Sequence, residues 1–505
     1  GRKEETEGGG RDRGTEAELH GRPDVVHASP TLFKASRPVI RADIGRGPAV
    51  PRPTTRDEQP TNSDPPIGPP VLDIRLIRER PEIVRRDLRK RGATEKEQLL
   101  EQVIRWDQDW RTAAAEADRL KKRRNEITRA IAEARKGGKD TAALRREAST
   151  LPEQIASLDR QGDELAGKVR NGLLRLPNLL HESVPVGKDD TENVEIAKWG
   201  TPREFDFELR PHGELLEALQ LADFERARKI AGAGFVFMMG DLVRLDQALL
   251  QFSLDYMVKA GFTAVFPPYM MHRDAYEGVT DLGDFETVMY KVDGEDLFLI
   301  ATSEHPIGAL YKDEIIDEAQ LPLMFAGISA CFRREIGAHG VDTKGLFRMH
   351  QFNKIEQFVF CRPEDSWEWH EKIRANGEAI YRALEIPYRV VNVCTGDIGT
   401  VAAKKYDIEA WYPRQGAYRE VISCSNCTDY QARRLNIRSG KVGGEKFIPH
   451  TLNSTAMATS RGLVAILENG QNADGTVTVP KVLRPYMGGE ATIGKPLRTA
   501  RPAHR

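Results

Sequence analysis

The chain has 505 residues, 40% of them hydrophobic and 30% charged, a polar mix with length for several domains. Its 75 Lys+Arg and 76 Asp+Glu nearly cancel, so net charge identifies no partner and only its distribution is informative. The most apolar short stretch, Ile230 to Met239, is far below the roughly 20 residues that span a bilayer, so no membrane protein and no membrane partner is expected.

Residues 1–70 hold 11 of the 29 prolines, with Gly8-Gly9-Gly10 and Pro69-Pro70, and no stretch of helical or strand period. Such a segment cannot bury enough apolar surface to offset its ordering entropy, so a disordered extension is expected. The texture changes at Val71, which suggests a true start there at a non-AUG codon, with the first 70 residues wrongly assigned. No charged segment followed by an apolar one opens the chain, and Glu4, Glu5 and Glu7 argue against an organelle transit peptide. Five cysteines (Cys331, Cys361, Cys394, Cys424 and Cys427) exclude a disulfide scaffold and suit a reducing cytosol; the expected location is the cytoplasm.

From Leu99, apolar positions fall at Val103, Trp106, Trp110, Ala113, Ala117, Leu120, Ile127, Ile131 and Ala134, in steps of four and three, with Arg124 filling one slot. That is a heptad seam about 60 Å long at 1.5 Å per residue. Gly137-Gly138-Lys139 breaks it, and Leu144, Ala148, Leu151, Ile155, Leu158, Leu165, Val169 and Leu176 form a second seam, with Gly162 and Gly172 in register. Two such helices joined by a short turn predict an antiparallel coiled-coil arm over residues 71–178, kinked at Pro152. Between Arg119 and Arg146 eleven cations face three acids, a net +8 at the tip. Lys121, Lys122, Arg123, Arg124, Arg129, Arg135, Lys136, Arg145 and Arg146 are therefore candidate contacts to a polyphosphate backbone.

After Pro177 short strand-like runs mix with helices: strands at Phe235–Met239, Thr263–Phe266, Leu297–Ile300, Gln357–Phe360 and Tyr388–Val393, helices at 241–260 and 365–384. This predicts an α+β domain over 179–488 and a flexible tail over 489–505. Its densest polar patch runs from Cys331 to Phe360. Arg333 offers a planar fork suited to phosphate, Glu335 an acceptor for an amino group, and Phe352 a face for base stacking; Lys354 and Glu356, two apart, share a strand face. Arg348 adds a further cation.

Phe332-Arg333-Arg334-Glu335 followed by Arg348-Met349-His350-Gln351-Phe352-Asn353-Lys354-Ile355-Glu356 resembles motif 2 of class II aminoacyl-tRNA synthetases in the form found in seryl-tRNA synthetases. Gly261-Phe262, Val265 and Pro268 resemble motif 1, which implies a homodimer. Thr302-Ser303-Glu304 resembles the loop that holds serine, and Asn453-Ser454-Thr455 with Arg461 resembles motif 3. The resemblance covers residues 71–487 and departs from the family at Gly232-Ala233-Gly234-Phe235, where Gly-Ser-Arg-Phe is commoner. The fold it implies is the coiled-coil arm followed by a class II catalytic domain, an antiparallel sheet flanked by helices.

It implies a serine–tRNA ligase that uses ATP and L-serine to form seryl-adenylate and then charges tRNA(Ser), with tRNA(Sec) as a further family substrate. The arm would grip tRNA. By the same resemblance, Arg333 and Arg461 are catalytic. Arg333, Arg334, Glu335, Met349, Phe352, Glu420, Val421, Ile422, Ser423 and Arg461 bind ATP, and Glu420 and Ser423 hold its Mg2+. Thr302, Ser303, Glu304, Arg333, Glu356, Asn453 and Thr455 bind serine. Cys424-x-x-Cys427 has zinc spacing but no second pair, and in the family this stretch is active-site backbone, so no zinc is expected. His305 and His350 are read as structural. Two other classes share parts of the pattern, an adenylating enzyme that loads a carrier protein and a non-catalytic RNA-binding scaffold. The first lacks the arm, and the second is expected to lose Arg333, Glu335, Glu356 or Arg461.

Overall fold

Two long helices and one broad sheet organise the residues described by the computed structural model: 73–281, 288–335, 345–441 and 443–494. The expected disordered extension and the start at Val71 lie outside them. Helix α1 (Ile74–Glu79) is capped by Asp73, whose carboxylate accepts the Arg75 N–H at 2.9 Å. Helix α2 (Pro81–Lys90) begins on a proline, where no N–H is needed. Helices α3 (Thr94–Lys136) and α4 (Ala142–Leu174) form the antiparallel hairpin, turning at Gly137 and Gly138. Glu95 and Glu97 in the first turn of α3, and Arg135 and Lys136 in its last, complement the helix dipole.

The seam closes where the heptads place it, with Leu120, Ile127, Leu151 and Ile155 buried along the rod. Ile77, Val84, Leu88, Leu100, Val103 and Leu176 form a separate core at the base. Gly172 is required there, because a Cβ at that position would lie 2.4 Å from the Val103 side chain. Three details differ from expectation. Helix α4 runs through Pro152 without a break. Arg124 is exposed and not in the seam. Asp107 is buried in the seam, held by the Arg78 guanidinium at 2.6 and 2.8 Å and by Arg111 at 3.0 Å.

The α+β domain is built from β1 (Val194–Trp199), α5 (Asp241–Lys259), β2 (Thr263–Val265), α6 (Glu304–Gly308), β3 (Leu323–Phe332) and β4 (Gln351–Cys361). There follow α7 (Ser366–Ala383), β5 (Tyr388–Asn392), β6 (Lys404–Tyr412), β7 (Ala417–Thr428), α8 (Tyr430–Arg434), β8 (His450–Ala458) and α9 (Thr459–Asn469). The strands form one sheet in the order β1-β5-β6-β7-β8-β4-β3-β2, antiparallel except between β2 and β3.

Side-chain alternation along β4 divides the domain into two layers. Ile355, Val359 and Cys361 pack into the larger core with Leu245 and Leu249 of α5 and Ile373 and Ile380 of α7. Phe358 and Phe360 face the other way, against Tyr276, Phe298, Ile307 and Leu435. Lys354 and Glu356 continue this second face into the cleft. Part of the expected tail is built into the fold: β9 (Val477–Thr478) pairs with β10 (Thr492–Ile493), and Ile493 is buried in the main core. Residues 495–505 lie outside the described set.

Candidate active site

The second face of the sheet opens into a cavity of about 300 Å³ lined by Thr302, Glu304, Arg333, Lys354, Glu356, Glu420, Ser423, Asn453 and Thr455. A second recess adjoins it, lined by Glu335, Phe347, Arg348, Met349, Phe352, Val421 and Arg461, and sharing Arg333, Lys354, Glu420 and Thr455. One half is thus polar and rich in carboxylates, the other aromatic and cationic.

Strand periodicity places most of these groups. Glu356 pairs in register with Thr455 of β8, whose hydroxyl donates to the Glu356 carboxylate at 3.3 Å. Asn453, two residues earlier on β8, shares that face and donates to Glu304 at 2.9 Å. Glu420 and Ser423 are three apart and would point to opposite faces of a regular strand. A β-bulge prevents this: Ile422 opposes Ile408 while Glu420 opposes Glu409, so Val421 is the extra residue that rephases the strand. Both side chains then enter the same cavity.

Electrostatics separate the carboxylates. Lys354, itself buried, forms a close ion pair with Glu356. Glu304 also receives a hydrogen bond from Gln431 of α8 at 3.1 Å. Desolvation, reinforced by the Glu356 charge, still pushes the Glu304 carboxyl up to about 7. At Glu420 desolvation in the cleft acts upward too, but Arg461, Lys405 and Arg333 outweigh it and hold the group below its ordinary value. Arg461 contacts Glu420 twice, through the backbone oxygen at 2.6 Å and the carboxylate at 3.4 Å, and lies over the Phe347 ring. Arg333 bonds the Ala301 carbonyl at 3.4 Å and lies 5.3 Å over Phe352; it makes no ion pair among the described residues.

Several expected site residues are placed elsewhere. Ser303 is buried and its hydroxyl donates to the Gly327 carbonyl at 3.1 Å. Ile422 packs in the core beneath α7, and the Arg334 side chain is exposed outside both recesses. Lys354 and the wall residues 398–402 line the cavity without having been expected there. Lys354 was legible as a cation on the Glu356 face, whereas the wall carries no chemical signature. Residues 336–344 of the motif 2 loop are outside the described set.

His305 is structural: burial first, then Lys354 and Arg333, drive its ring down to about 3, so it stays neutral. His350 hydrogen-bonds Tyr290 and stacks on Phe235 at 5.1 Å. Its ring explains the departure at Gly234, which has φ +82° and where a Cβ would lie 2.2 Å from the imidazole. Cys424 and Cys427 do not converge. The first lies in the core against α7, while the second reaches the cavity and accepts a hydrogen bond from Asn453 at 3.5 Å.

At the arm tip, Lys121 pairs with Asp159 at 2.9 Å and Arg123 with Glu147 at 2.7 Å, so these two brace the hairpin. Lys122, Arg124, Arg129, Arg135, Lys136, Arg145 and Arg146 make no ion pair among the described residues.

Comparison with known proteins agrees with this geometry in order and extent. The model of the seryl-tRNA synthetase N-terminal domain matches residues 71–180, and that of the tRNA synthetase class II core domain (G, H, P, S and T) matches 287–470. A serine–tRNA ligase of Methanocella arvoryzae is 61% identical over 421 residues, 83% of this chain and 99% of the relative. The crystal structure of seryl-tRNA synthetase from Pyrococcus horikoshii complexed with ATP is 49% identical, with a TM-score of 0.81 over 84% of this chain and 99% of that one. The cytoplasmic enzyme of Naegleria fowleri in complex with AMP is 36% identical, with a TM-score of 0.77 over the same shares.

Proposed function

The chain belongs to the seryl-tRNA synthetase family, and from that premise we propose how its residues divide the work of joining serine to tRNA(Ser). It is an ATP-dependent ligase with the class II fold. The observation that carries the assignment of roles is the pairing of a small polar cavity with an aromatic, cationic recess, bridged by Arg333.

Serine occupies the polar half, its ammonium toward Glu304 and Thr302 and its hydroxyl toward Glu356 and Thr455. A site built to hydrogen-bond that hydroxyl disfavours alanine by about 10⁴-fold, since a buried carboxylate would be left unpaired. ATP takes the other recess, adenine on Phe352 and its amino group at Glu335. The serine carboxylate attacks the α-phosphorus, the bond to the β,γ-phosphates breaks, and pyrophosphate leaves as seryl-adenylate forms. A hydroxyl of the terminal adenosine of tRNA then attacks the seryl carbonyl and AMP departs. Positioning and charge neutralisation dominate such chemistry, and Arg333 and Arg461 supply fixed positive charge.

A class II synthetase using ATP generally needs Mg2+, and the donors fit a hard cation: the Glu420 carboxylate, held ionised, and the Ser423 hydroxyl share one face. When bound, the ion neutralises phosphate charge. Residues 71–178 act as the tRNA arm and 179–488 as the catalytic domain. A homodimer through motif 1 is supported by exposed Val243, Val258 and Phe266 along α5 and beside the edge strand β2. A cytoplasmic site is supported by five free, buried cysteines. No helix of the described residues is long and apolar enough to cross a membrane.

The test is ATP–pyrophosphate exchange with each of the twenty amino acids in turn, without tRNA. Exchange with serine alone is expected; no exchange favours a scaffold, and exchange with another amino acid means a different pocket. A companion prediction separates the arm from the chemistry. Reversing Lys122, Arg124 and Arg129 to Glu should weaken tRNA charging at least tenfold while serine exchange persists, because only phosphate contacts are lost. Equal loss of both activities would remove the arm from tRNA binding.

A further inference from the structure

The cavity has one wall that the catalytic sheet does not hold alone. Ile398, Gly399, Thr400, Val401 and Ala402 line it as a segment between β5 and β6. Within the catalytic domain, the Thr400 hydroxyl bonds Asp281 at 2.9 Å and the Ala403 N–H bonds the Asn426 carbonyl at 2.8 Å. The denser attachment comes from the base of the arm, about 220 to 310 positions away in sequence. Arg91, just past the end of α2, has a side chain only 6% exposed. One of its terminal nitrogens donates to the Gly399 carbonyl and the other to the Asn178 carbonyl, both at 2.6 Å. Its Nε faces Asp87 at 3.3 Å.

Asn178 extends the tie. It is fully buried, its N–H donates to the Thr400 carbonyl at 2.8 Å, and its amide donates to the carbonyls of Val401 at 3.0 Å and Cys427 at 2.9 Å. The Val401 and Cys427 backbones, both at the cavity, are thus pinned to a residue of the connection from arm to sheet. A guanidinium suits this bridge because its planar fork reaches two carbonyls at once. An ammonium on a single carbon cannot span both in the same geometry.

We propose that Arg91 is a positioning residue for the amino-acid pocket: by bridging Gly399 and Asn178 it fixes the 398–402 wall and thereby sets the affinity for serine. This rests on the assignment of that cavity to serine. Arg91 does not touch the ATP recess, so its loss should appear in one substrate constant and not in the other. The role is separate from any tRNA contact by the arm tip, and so is visible without tRNA.

The experiment is serine-dependent ATP–pyrophosphate exchange with the full chain, comparing wild type with Arg91→Met, Arg91→Lys and a control, Lys90→Met. Lys90 secures the same docking face but bonds the Val184 carbonyl at 2.8 Å, away from the wall. Arg91→Met should raise the KM for serine about tenfold while kcat and the KM for ATP stay within about twofold, and Arg91→Lys should recover only part of the loss. Lys90→Met should leave all three constants unchanged. Should Arg91→Met fold poorly because Asp87 is left unpaired, Asp87→Asn with Arg91→Met removes the buried charge and is read in the same way. An unchanged serine KM, a parallel rise in both substrate constants, or an equal effect from Lys90→Met would overturn the proposal. Absence of serine exchange in the wild type would instead overturn the functional reading beneath it.

Discussion

Replacing Arg333 by alanine is expected to lower serine-dependent ATP–pyrophosphate exchange at saturating substrates by about 10³-fold, with little change in Tm. The size follows from where its charge sits. Arg333 lines both recesses, as does Lys354, but Lys354 is committed to Glu356 in a buried pair. Among the described residues, the Arg333 side chain is held by a carbonyl at 3.4 Å and the Phe352 ring. Its positive charge is therefore available to the phosphate that gains negative charge during attack by serine. Removing it breaks no ion pair among the described residues, so stability should change little. Arg333→Lys keeps the charge and loses the fork, and should lie between the two at about 10²-fold below wild type. Residual exchange within fivefold of wild type for the alanine variant would place the neutralising charge elsewhere, with Arg461 the next candidate.

Much of this site was legible in the sequence, and the reason is strand geometry. Lys354 with Glu356, and Asn453 with Thr455, are spaced by two, so a period-two backbone delivers each pair to one face without further information. The two heptad seams were equally readable, because apolar steps of four and three leave one way to pair the helices. What periodicity alone does not deliver depends on local irregularity or on distant contacts. Spacing alone sets Glu420 and Ser423 on opposite faces, and only the bulge at Val421 brings them together. Ile422, between them, is carried into the core by the same strand alternation.

Other features not visible in the sequence have different physical origins. Ser303 lies between two cavity residues but starts a short helix that turns its hydroxyl to the Gly327 carbonyl. Lys121 and Arg123 count toward a basic tip in composition, yet acids from α4 meet them across the hairpin. The 398–402 wall has no charged or catalytic residue type and is defined by what holds it, which is a tertiary fact. Asp107 is the converse case: a carboxylate at a buried seam position is unfavourable in isolation and is admitted only because Arg78 and Arg111 satisfy it.

The second large effect concerns Glu356. Glu356→Ala should abolish serine activation, but the buried ion pair means that it should also lower stability, by about 3–5 kcal/mol, by leaving Lys354 without its counter-charge. Combining Lys354→Met with Glu356→Gln removes both charges, and should restore Tm without restoring wild-type exchange. Glu356→Gln alone gives a sharper reading through pH. In the wild type, desolvation and then the Glu356 charge raise Glu304 to about 7, so Glu304 is protonated below that value and loses its attraction for the serine ammonium. The KM for serine should therefore be flat above about pH 7.5 and rise, approaching tenfold per unit, as pH falls through 7. With Glu356 neutral the repulsion is gone, Glu304 ionises more readily, and the rise should move to lower pH even though overall activity has fallen. The serine KM measured from about pH 5.5 to 8.5 in both proteins decides this. A profile that is flat through neutrality in the wild type, or an acid limb that stays in place in Glu356→Gln, would show that Glu304 does not carry the ammonium and that the two carboxylates do not share the pocket electrostatically.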